Sequence, residues 1–373
     1  MSFFKKLFAS KESNKEPQKL TLEQRYAEFW QWFQLHQQDF HKIIDEMNRE
    51  TIEENFFDKI SPELAKVHDG IFFLAGMWDT QTAELILTPD GVIRNIVFVE
   101  ELVAAAPEIA GWRFTAMKPG TDISNISIRM HDYEFDKETL SFYLKDDADY
   151  PDDIDLVVVH DQYDEAKKSE ILQGVYIFLD NYLGEYVAVT KLDNVAVQST
   201  QDAEKDLIPI EQLKNLLILK NSEISRLDKV IHMDSDNDQY VGLEGETEQG
   251  LPLVASLNST LLSWDQKASH PWMMIFDIHY DGQNSNGMPS SEDYQLLDEI
   301  EQEIVEQLPD FLGYLNIGRE TGNGLRTVYF ACKEFKKPAK VIDQVVEKYQ
   351  NTFEIEISLF KDKYWRCLNK FSG

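Results

Sequence analysis

The chain has 373 residues, with 36 Lys and Arg against 67 Asp and Glu, which gives a formal net charge of −31. A field this negative repels phosphate at every distance, so the composition argues against a nucleic-acid-binding protein. Hydrophobic residues at 43% and aromatic residues at 12% are typical of a chain that folds around a core, and the length favours two domains.

The first predicted helix begins at Thr21. Thr21-x-x-Gln24 fits a capping box, and apolar residues then recur every three or four positions from Tyr26 to Met47. Further helices are predicted at 97–106 and 165–182, and strands at 71–78, 83–88, 112–117, 126–130, 140–144, 154–160 and 186–191. These runs of strands between helices indicate an acidic α+β domain over residues 20–210, with an antiparallel sheet and a long amphipathic N-terminal helix.

A linker is predicted at 211–237, with one helix at 210–219 and a domain boundary near residue 225. The second domain, 238–373, has predicted strands at 272–280, 311–318, 325–332 and 353–360, with helices at 289–308 and 339–349. The order β-α-β-β-α-β predicts a ferredoxin-like domain, in which two helices cover one face of a four-stranded antiparallel sheet.

The N-terminal tail and the two cysteines say less about function. Residues 1–19 hold five Lys and two Glu, which predicts a flexible basic tail, with docking to a membrane surface or to the acidic remainder as the alternative. No run of about 20 apolar residues occurs, so we expect no membrane-spanning helix. Cys332 and Cys367 have no Cys or His at metal-ligand spacing, and two buried thiols in a reducing cytoplasm are the economical interpretation.

The second half also carries a set of spaced motifs: Gly250-Leu-Pro252, Gly287-Met-Pro289, Gly318-Arg-Glu-Thr321, Gly324-Leu-Arg326 and Asp362-x-x-Trp365. In these motifs residues 240–371, about a third of the chain, resemble an uncharacterised bacterial family, domain of unknown function 695. The resemblance implies a fold and no mechanism. The ferredoxin-like core that it implies is also similar to that of the acidic bacterial inhibitors of ribonuclease E, an analogy at the level of the fold. We identify no comparable family for residues 20–210.

Negative charge is concentrated in the first domain. The net charge is +3 over residues 1–19, −23 over 20–210 and −11 over 211–373, and the segment 132–170 alone holds fourteen acids and four bases. A concentrated negative field accelerates the encounter with a basic protein. The segment therefore contains the candidate partner-binding residues, which are Asp146, Asp147, Asp149, Asp152, Asp153 and Asp155. A cation site and a charged loop that only maintains solubility are the alternatives.

A second acidic motif is Asp234-x-Asp236-x-Asp238, since three carboxylates on alternate residues can converge on one hard cation. The motif departs from an EF-hand, because Gln239 stands where a Gly is needed and Gly245 where the bidentate Glu is needed. The pattern favours a solvated linker. Asp234, Asp236 and Asp238 are kept as weak metal candidates.

Catalytic signatures are missing from the sequence, which has no His-Glu-x-x-His, no Gly-x-Ser-x-Gly and no phosphate-binding loop. We predict no catalytic residue and no cofactor. Gly322-x-Gly324 is interpreted as a hairpin turn, and the flanking Arg319 and Arg326 are expected to pair with Glu320 or other nearby acids.

These observations favour a non-enzymatic cytoplasmic binding or regulatory protein, such as an acidic inhibitor or immunity-type protein for a basic partner. The alternative is a metal-dependent hydrolase that uses Asp and Glu ligands. A third hypothesis is assembly through an edge of the second domain's sheet. The sequence leaves the oligomeric state and the identity of the partner open.

Overall fold

The computed structural model of the chain describes residues 20–46, 48–232 and 235–371, so the predicted tail and Met47 lie outside it. The helices are α1 (Leu22–Asp45), α2 (Arg49–Ile52), α3 (Asp58–Val67), α4 (Ile96–Ala104), α5 (Lys168–Leu183), α6 (Glu185–Lys191), α7 (Leu213–Ile224), α8 (Ser259–Leu262), α9 (Ser291–Gln307) and α10 (Lys336–Tyr349). The first nine strands are β1 (Phe72–Met77), β2 (Ala83–Thr88), β3 (Trp112–Ala116), β4 (Ile128–Met130), β5 (Tyr133–Phe135), β6 (Leu140–Lys145), β7 (Asp155–His160), β8 (Asn194–Gln198) and β9 (Ile208–Pro209). The remaining strands are β10 (Tyr240–Glu246), β11 (Pro252–Asn258), β12 (Trp272–His279), β13 (Tyr314–Gly322), β14 (Leu325–Cys332) and β15 (Glu354–Lys361).

Helices and sheets occur together along the chain, which confirms the α+β class. The chain divides into two compact units. The smaller unit comprises the described residues up to Asp69 with Ala75–Glu84 and Ala104–Arg113, and the larger unit comprises Gly70–Leu74, Leu85–Val103 and the described residues from Phe114 onward. Within the described residues, no helix is long and apolar enough to cross a membrane.

Helix α1 begins where the capping box predicts. The Thr21 hydroxyl accepts a hydrogen bond from the Gln24 backbone N–H at 3.3 Å, and the Gln24 side chain accepts one from the Thr21 N–H at 2.8 Å. These two bonds satisfy N–H groups that a helix start leaves without partners. The aromatic stripe that follows is buried in the smaller unit, namely Tyr26, Phe29, Trp30, Phe33 and Phe40.

The acidic segment lies on a four-stranded sheet with the order β8-β7-β6-β9. Strands β6 and β7 are antiparallel, with Leu140 opposite His160 and Lys145 opposite Asp155. Strand β8 runs parallel to β7, a departure from the predicted antiparallel sheet. The cause is the connection through α5 and α6, because a crossover of this length lets the chain re-enter the sheet in the same direction.

The strand predicted at 186–191 is wrong, because these residues form helix α6. Val187 and Val189 alternate with smaller and polar residues, a pattern typical of a strand. Tertiary contacts override it. The Glu185 carboxylate, 1% exposed, accepts hydrogen bonds from the Thr88 hydroxyl at 2.7 Å and from the backbone N–H groups of Gly91 and Lys118 at 2.8 and 3.1 Å. A buried carboxylate needs such partners, and they hold the first residue of the helix in place.

The last third of the chain forms a six-stranded sheet with the order β10-β11-β13-β14-β12-β15 and antiparallel neighbours throughout. The predicted sheet of four strands was therefore incomplete. Strands β10 and β11 form an additional hairpin, which pattern reading missed because β10 contains Gly242, Gly245 and two Glu and is mostly exposed. The β13–β14 turn is the predicted hairpin, since Asn323 and Gly324 have φ of 50° and 74°, as a type I′ turn requires.

Candidate functional site

Five of the six predicted aspartates lie in the loop that joins β6 to β7, at one end of the sheet, and the sixth, Asp155, is the first residue of β7. We name residues 146–155 the loop end, and residues 132–138 with 161–165 the open end. The paired positions Lys145–Asp155 and Leu140–His160 mark these two ends. At about 3.4 Å per residue they are about 17 Å apart along the strands.

The first part of the loop end is exposed. The Asp146 side chain is 84% exposed and lies 2.5 Å from the Lys205 ammonium, which lowers the pKa of Asp146 through a hydrogen bond and its charge. The Asp147 carboxylate accepts a hydrogen bond from the Asp149 backbone N–H at 2.9 Å, a turn contact, and Asp149 is exposed. Asp146 and Asp149 are thus exposed to solvent, and Asp147 is half-buried.

The second part of the loop end binds the C-terminal region of the same chain. The Asp152 N–H donates to the Tyr364 hydroxyl at 2.9 Å, and the Asp152 carbonyl accepts from the Lys363 ammonium. The Asp152 carboxylate in turn lies 2.5 Å from Arg226. Backbone and side chain are thus both held by residues from elsewhere in the chain.

Asp153 is the most enclosed of the six aspartates, with its side chain 2% exposed. Its carboxylate lies 3.2 Å from the guanidinium of Arg366. The pKa of Asp153 is raised to about 6, chiefly by burial and also by the neighbouring Asp193, whereas the Lys363 and Arg366 charges oppose the rise. Neither carboxylate oxygen makes a hydrogen bond of good geometry to a described residue, so the pair with Arg366 is electrostatic.

Asp193, between α6 and β8, joins the loop end to the last strand. Its carboxylate accepts a hydrogen bond from the Ile154 N–H at 2.7 Å and lies 2.9 Å from the Lys361 ammonium and 2.6 Å from that of Lys363. The side chains of Asp193 and Lys363 are each 5% exposed. Removing one partner from such a buried group leaves an uncompensated charge, so the cluster locks the loop in one position.

Asp155 completes the loop end and accepts a hydrogen bond from the Asn194 side chain at 2.6 Å. The structure therefore separates the six predicted residues: Asp146, Asp147 and Asp149 face solvent, whereas Asp152, Asp153 and Asp155 contact the chain itself. Sequence reasoning missed Asp193, Lys361, Lys363 and Arg366. Their contacts with the loop span between 39 and 213 positions, so no local spacing could reveal them.

The open end has a different character. Asp132, Asp161 and Asp164 are exposed, and no Lys or Arg of the described residues forms an ion pair with them. Glu134 lies 3.8 Å from Arg129, a long surface pair. A groove of about 470 Å³ opens here, lined by Arg129, His131, Asp132, Glu134, Thr139, His160 and Gln162.

His160 lines the groove, and two contacts hold its ring in place. Its Nε2 lies 3.0 Å from the Glu134 carbonyl oxygen, and its Nδ1 accepts a hydrogen bond from the Gln162 N–H at 3.1 Å. Burial lowers the pKa of His160, so the ring stays neutral at physiological pH. The imidazole therefore leaves the negative charge of this end undiminished.

The second acidic motif is only partly described, because Asp234 and the Asp236 side chain lie outside the described residues. The Asp238 carboxylate lies 2.9 Å from His232 Nε2 and accepts a hydrogen bond from the Asn258 side chain at 2.8 Å. Across the residues that the structure describes, no group of three or more His, Cys, Asp and Glu side chains could hold a metal ion.

Arg319 and Arg326 pair with acids, as predicted, but these acids come from α9. Arg326 is fully buried and donates to Asp298 at 2.6 Å, and Arg319 donates to Glu301 at 3.0 Å. Glu320 instead contacts Lys370 at 2.6 Å. Both arginines pair with acids of α9 and so hold this helix on the sheet. Neither guanidinium is therefore available to bind an anion at the hairpin.

Cys332 and Cys367 are both free thiols. Burial raises the pKa of both, that of Cys367 to about 12. A thiol becomes nucleophilic only when it ionises, so neither cysteine is poised for catalysis.

Comparisons with known proteins bear on the last third of the chain alone. Searches among curated proteins and among solved structures found no match to this chain. Residues 246–371 match the model of a family described as "Family of unknown function (DUF695)", which confirms the resemblance seen in the motifs of this region and leaves residues 20–245 without a family.

Proposed function

We propose that the chain is a non-enzymatic binding or regulatory protein of the cytoplasm, and that its partner is a basic protein held at the open end of the acidic segment. The observation that carries the proposal is the set of exposed carboxylates there, Asp132, Asp161 and Asp164, which form no ion pair with a Lys or Arg of the described residues. Free thiols suit a reducing compartment.

The electrostatics of the open end support a protein partner over a lone cation. Charges of one sign that are spread over a surface steer an oppositely charged partner during its approach, over a range that salt screening sets at about 8 Å at physiological ionic strength, and orient it on arrival. The groove beside Asp132 and Glu134 is large enough for a Lys or Arg side chain and presents two carboxylates to it. Asp146, Asp147 and Asp149, at the loop end, remain predicted contributors to the same field.

The fold assignment is also part of the proposal. We infer a ferredoxin-like core in residues 238–373, extended by the β10–β11 hairpin, with a domain boundary in 211–237. The inference is supported by the order β13-β14-β12-β15, in which the first strand of the β-α-β-β-α-β series lies between the third and the fourth. The fold implies no activity.

The proposal is tested with two charge-matched triple variants of the full chain. The first is Asp132→Asn with Asp161→Asn and Asp164→Asn, which retains side-chain volume and the turn-forming oxygen of residue 164. The control is Glu244→Gln with Glu246→Gln and Glu248→Gln, three exposed acids in and just after β10. Both lose the same charge.

The partner is captured from the native host at low salt, identified by mass spectrometry and purified, and its affinity for the three proteins is measured. We expect the open-end variant to bind about tenfold or more weakly at low salt, and the control within about twofold of the wild type. Equal affinities for the two variants would contradict the proposed surface. Absence of any basic partner at low salt would contradict the proposed function.

A further inference from the structure

A cavity of about 330 Å³ lies within the larger unit, next to the buried Asp193 cluster. Five of its lining residues are lysines, namely Lys191, Lys333, Lys336, Lys361 and Lys363. Glu334 is the one carboxylate that lines it among the described residues. Such a concentration of ammonium groups is unexpected in a chain with a net charge of −31.

The carboxylates around the cavity are too few for its lysines. Lys361 and Lys363 both form ion pairs with the Asp193 carboxylate, and Lys336 pairs with Glu100 at 2.6 Å. The Asp153 carboxylate also attracts Lys363, but it is already paired with Arg366. Glu334 already accepts hydrogen bonds from the Tyr314 hydroxyl at 2.6 Å and from the Lys336 N–H at 2.7 Å.

Two lysines have no carboxylate ion pair among the described residues. Lys333 donates to the carbonyl oxygen of Val230 at 3.3 Å and forms no ion pair with a described carboxylate. Lys191, half-buried at the end of α6, has no ion-pair partner in the described part of the chain. The cavity therefore carries a local excess of positive charge.

The electrostatic strain is visible at Lys361. The pKa of Lys361 is lowered to about 8, chiefly by burial and also by the neighbouring charges of Lys363 and Lys191, while Asp193 opposes the shift. Like charges held together in a buried site are destabilising unless an opposite charge joins them. If the cluster only stabilised the fold, we would expect one carboxylate for each lysine. The cavity has fewer carboxylates than lysines.

The other residues that line the cavity are of the types that usually line ligand sites. Tyr186, Trp272 and Phe335 supply aromatic surface, and the rings of Trp272 and Phe335 pack edge to face at 4.7 Å. Asn221, Ser225 and Ser269 supply polar groups. Apolar walls with a few converging polar groups, in a volume near 300 Å³, match the lower size range of small-molecule sites.

We propose that this cavity binds a small molecule that carries a phosphate group. A phosphate dianion matches the excess charge, and the lysine ammonium is a common phosphate ligand that acts as a point charge. The aromatic wall accommodates the non-phosphate part of the molecule. This proposal is independent of the basic partner at the open end, since the two sites share no residue.

The test measures binding of phenyl phosphate by isothermal titration calorimetry, with phenol as the probe that has the ring and lacks the phosphate. The variant is Lys191→Gln, because Lys191 has no ion pair whose loss would unfold the chain. The control is Lys348→Gln, an equal charge change at an exposed lysine that pairs with Glu303. Thermal midpoints of all three proteins establish that each is folded.

We expect phenyl phosphate to bind the wild type with one site, phenol not to bind, and Lys191→Gln to weaken the binding by about tenfold, the effect of one charged hydrogen bond. Lys348→Gln should bind within about twofold of the wild type. The proposal is overturned if phenyl phosphate binds no better than phenol, or if the two lysine variants weaken it equally.

Discussion

The loop end and the open end of the β6–β7 hairpin carry the same kind of charge and differ in what surrounds it. At the loop end Asp152 and Asp153 are held by Lys363, Tyr364 and Arg366 of the same chain. At the open end Asp132, Asp161 and Asp164 are exposed and have no Lys or Arg ion pair within the described residues, and the nearby glutamates form only long surface pairs of 3.7 to 3.8 Å.

The difference shows that a count of charges along a sequence does not separate a structural anchor from a binding surface. Removing a buried carboxylate that is bonded to its cations, as Asp193 is to Lys361 and Lys363, leaves those cations without that partner and destabilises the fold. An exposed carboxylate contributes little to stability and acts through its long-range field. Mutations at the two ends should therefore change different measured quantities.

The largest effect is expected for Asp193→Asn. The change removes the carboxylate that pairs with both Lys361 and Lys363 in a buried site, so we expect the free energy of unfolding to fall by about 3 to 5 kcal/mol. Urea denaturation followed by fluorescence measures the change. A loss under about 1 kcal/mol would show that this cluster does not anchor the loop end.

A smaller, pH-dependent effect is expected for Asp153→Asn. The pKa of Asp153 is raised to about 6 in the folded state, so that state binds the proton more tightly than the unfolded chain does. The free energy of unfolding therefore loses this residue's contribution as the pH rises from about 4 to about 6. At pH of about 7 the variant should be more stable than the wild type, by on the order of 1 to 3 kcal/mol.

The pH dependence is checked by denaturation of both proteins across this range. At pH of about 4 the protonated aspartate resembles asparagine, so the two stabilities should converge. A variant that is less stable than the wild type at neutral pH would mean that the attraction between Asp153 and Arg366 exceeds the penalty of burial.

A still smaller effect is expected for the exposed pair of Asp146 and Lys205. Asp146→Asn should reduce the free energy of unfolding by no more than about 1 kcal/mol, because solvent screens a pair whose carboxylate is 84% exposed. Denaturation at low and at high salt tests this, since screening should remove the difference. A salt-independent loss above that size would place Asp146 with the anchored residues.

The smallest effect is expected at the open end. Asp161→Asn should change the free energy of unfolding by less than about 0.5 kcal/mol, as an exposed residue without a Lys or Arg partner. The same denaturation experiment provides the measurement. If Asp161→Asn lowered the free energy of unfolding as much as Asp193→Asn does, the loop end and the open end would not differ in their contribution to stability.

Local rules predicted much of the fold. The capping box at Thr21 and the turn at Asn323 and Gly324 depend on neighbours within four residues, and both are present in the structure. The helix at 185–191 was predicted as a strand, because its conformation depends on contacts of Glu185 with residues from 67 to 97 positions away. Hairpin β10–β11 was not predicted, because the glycines and exposed acids of β10 interrupt the alternation of apolar and polar residues that marks a strand.

The candidate site was predictable to a lesser extent. The density of acids located the segment, since charge can be counted from the sequence. The anchoring of its inner half could not be predicted, because Asp152 and Asp153 meet residues more than 200 positions away. The lysine cavity could not be predicted for the same reason, since its lysines come from three separate parts of the chain.

Amide hydrogen exchange tests the central claim most directly, that the chain itself holds the inner half of the acidic loop. The N–H groups of Asp152 and Ile154 donate to Tyr364 and to Asp193, so we predict slow exchange for both in the wild type. In Asp193→Asn the Ile154 amide should exchange faster. Exchange of both wild-type amides at the rate of an unprotected loop would contradict the account.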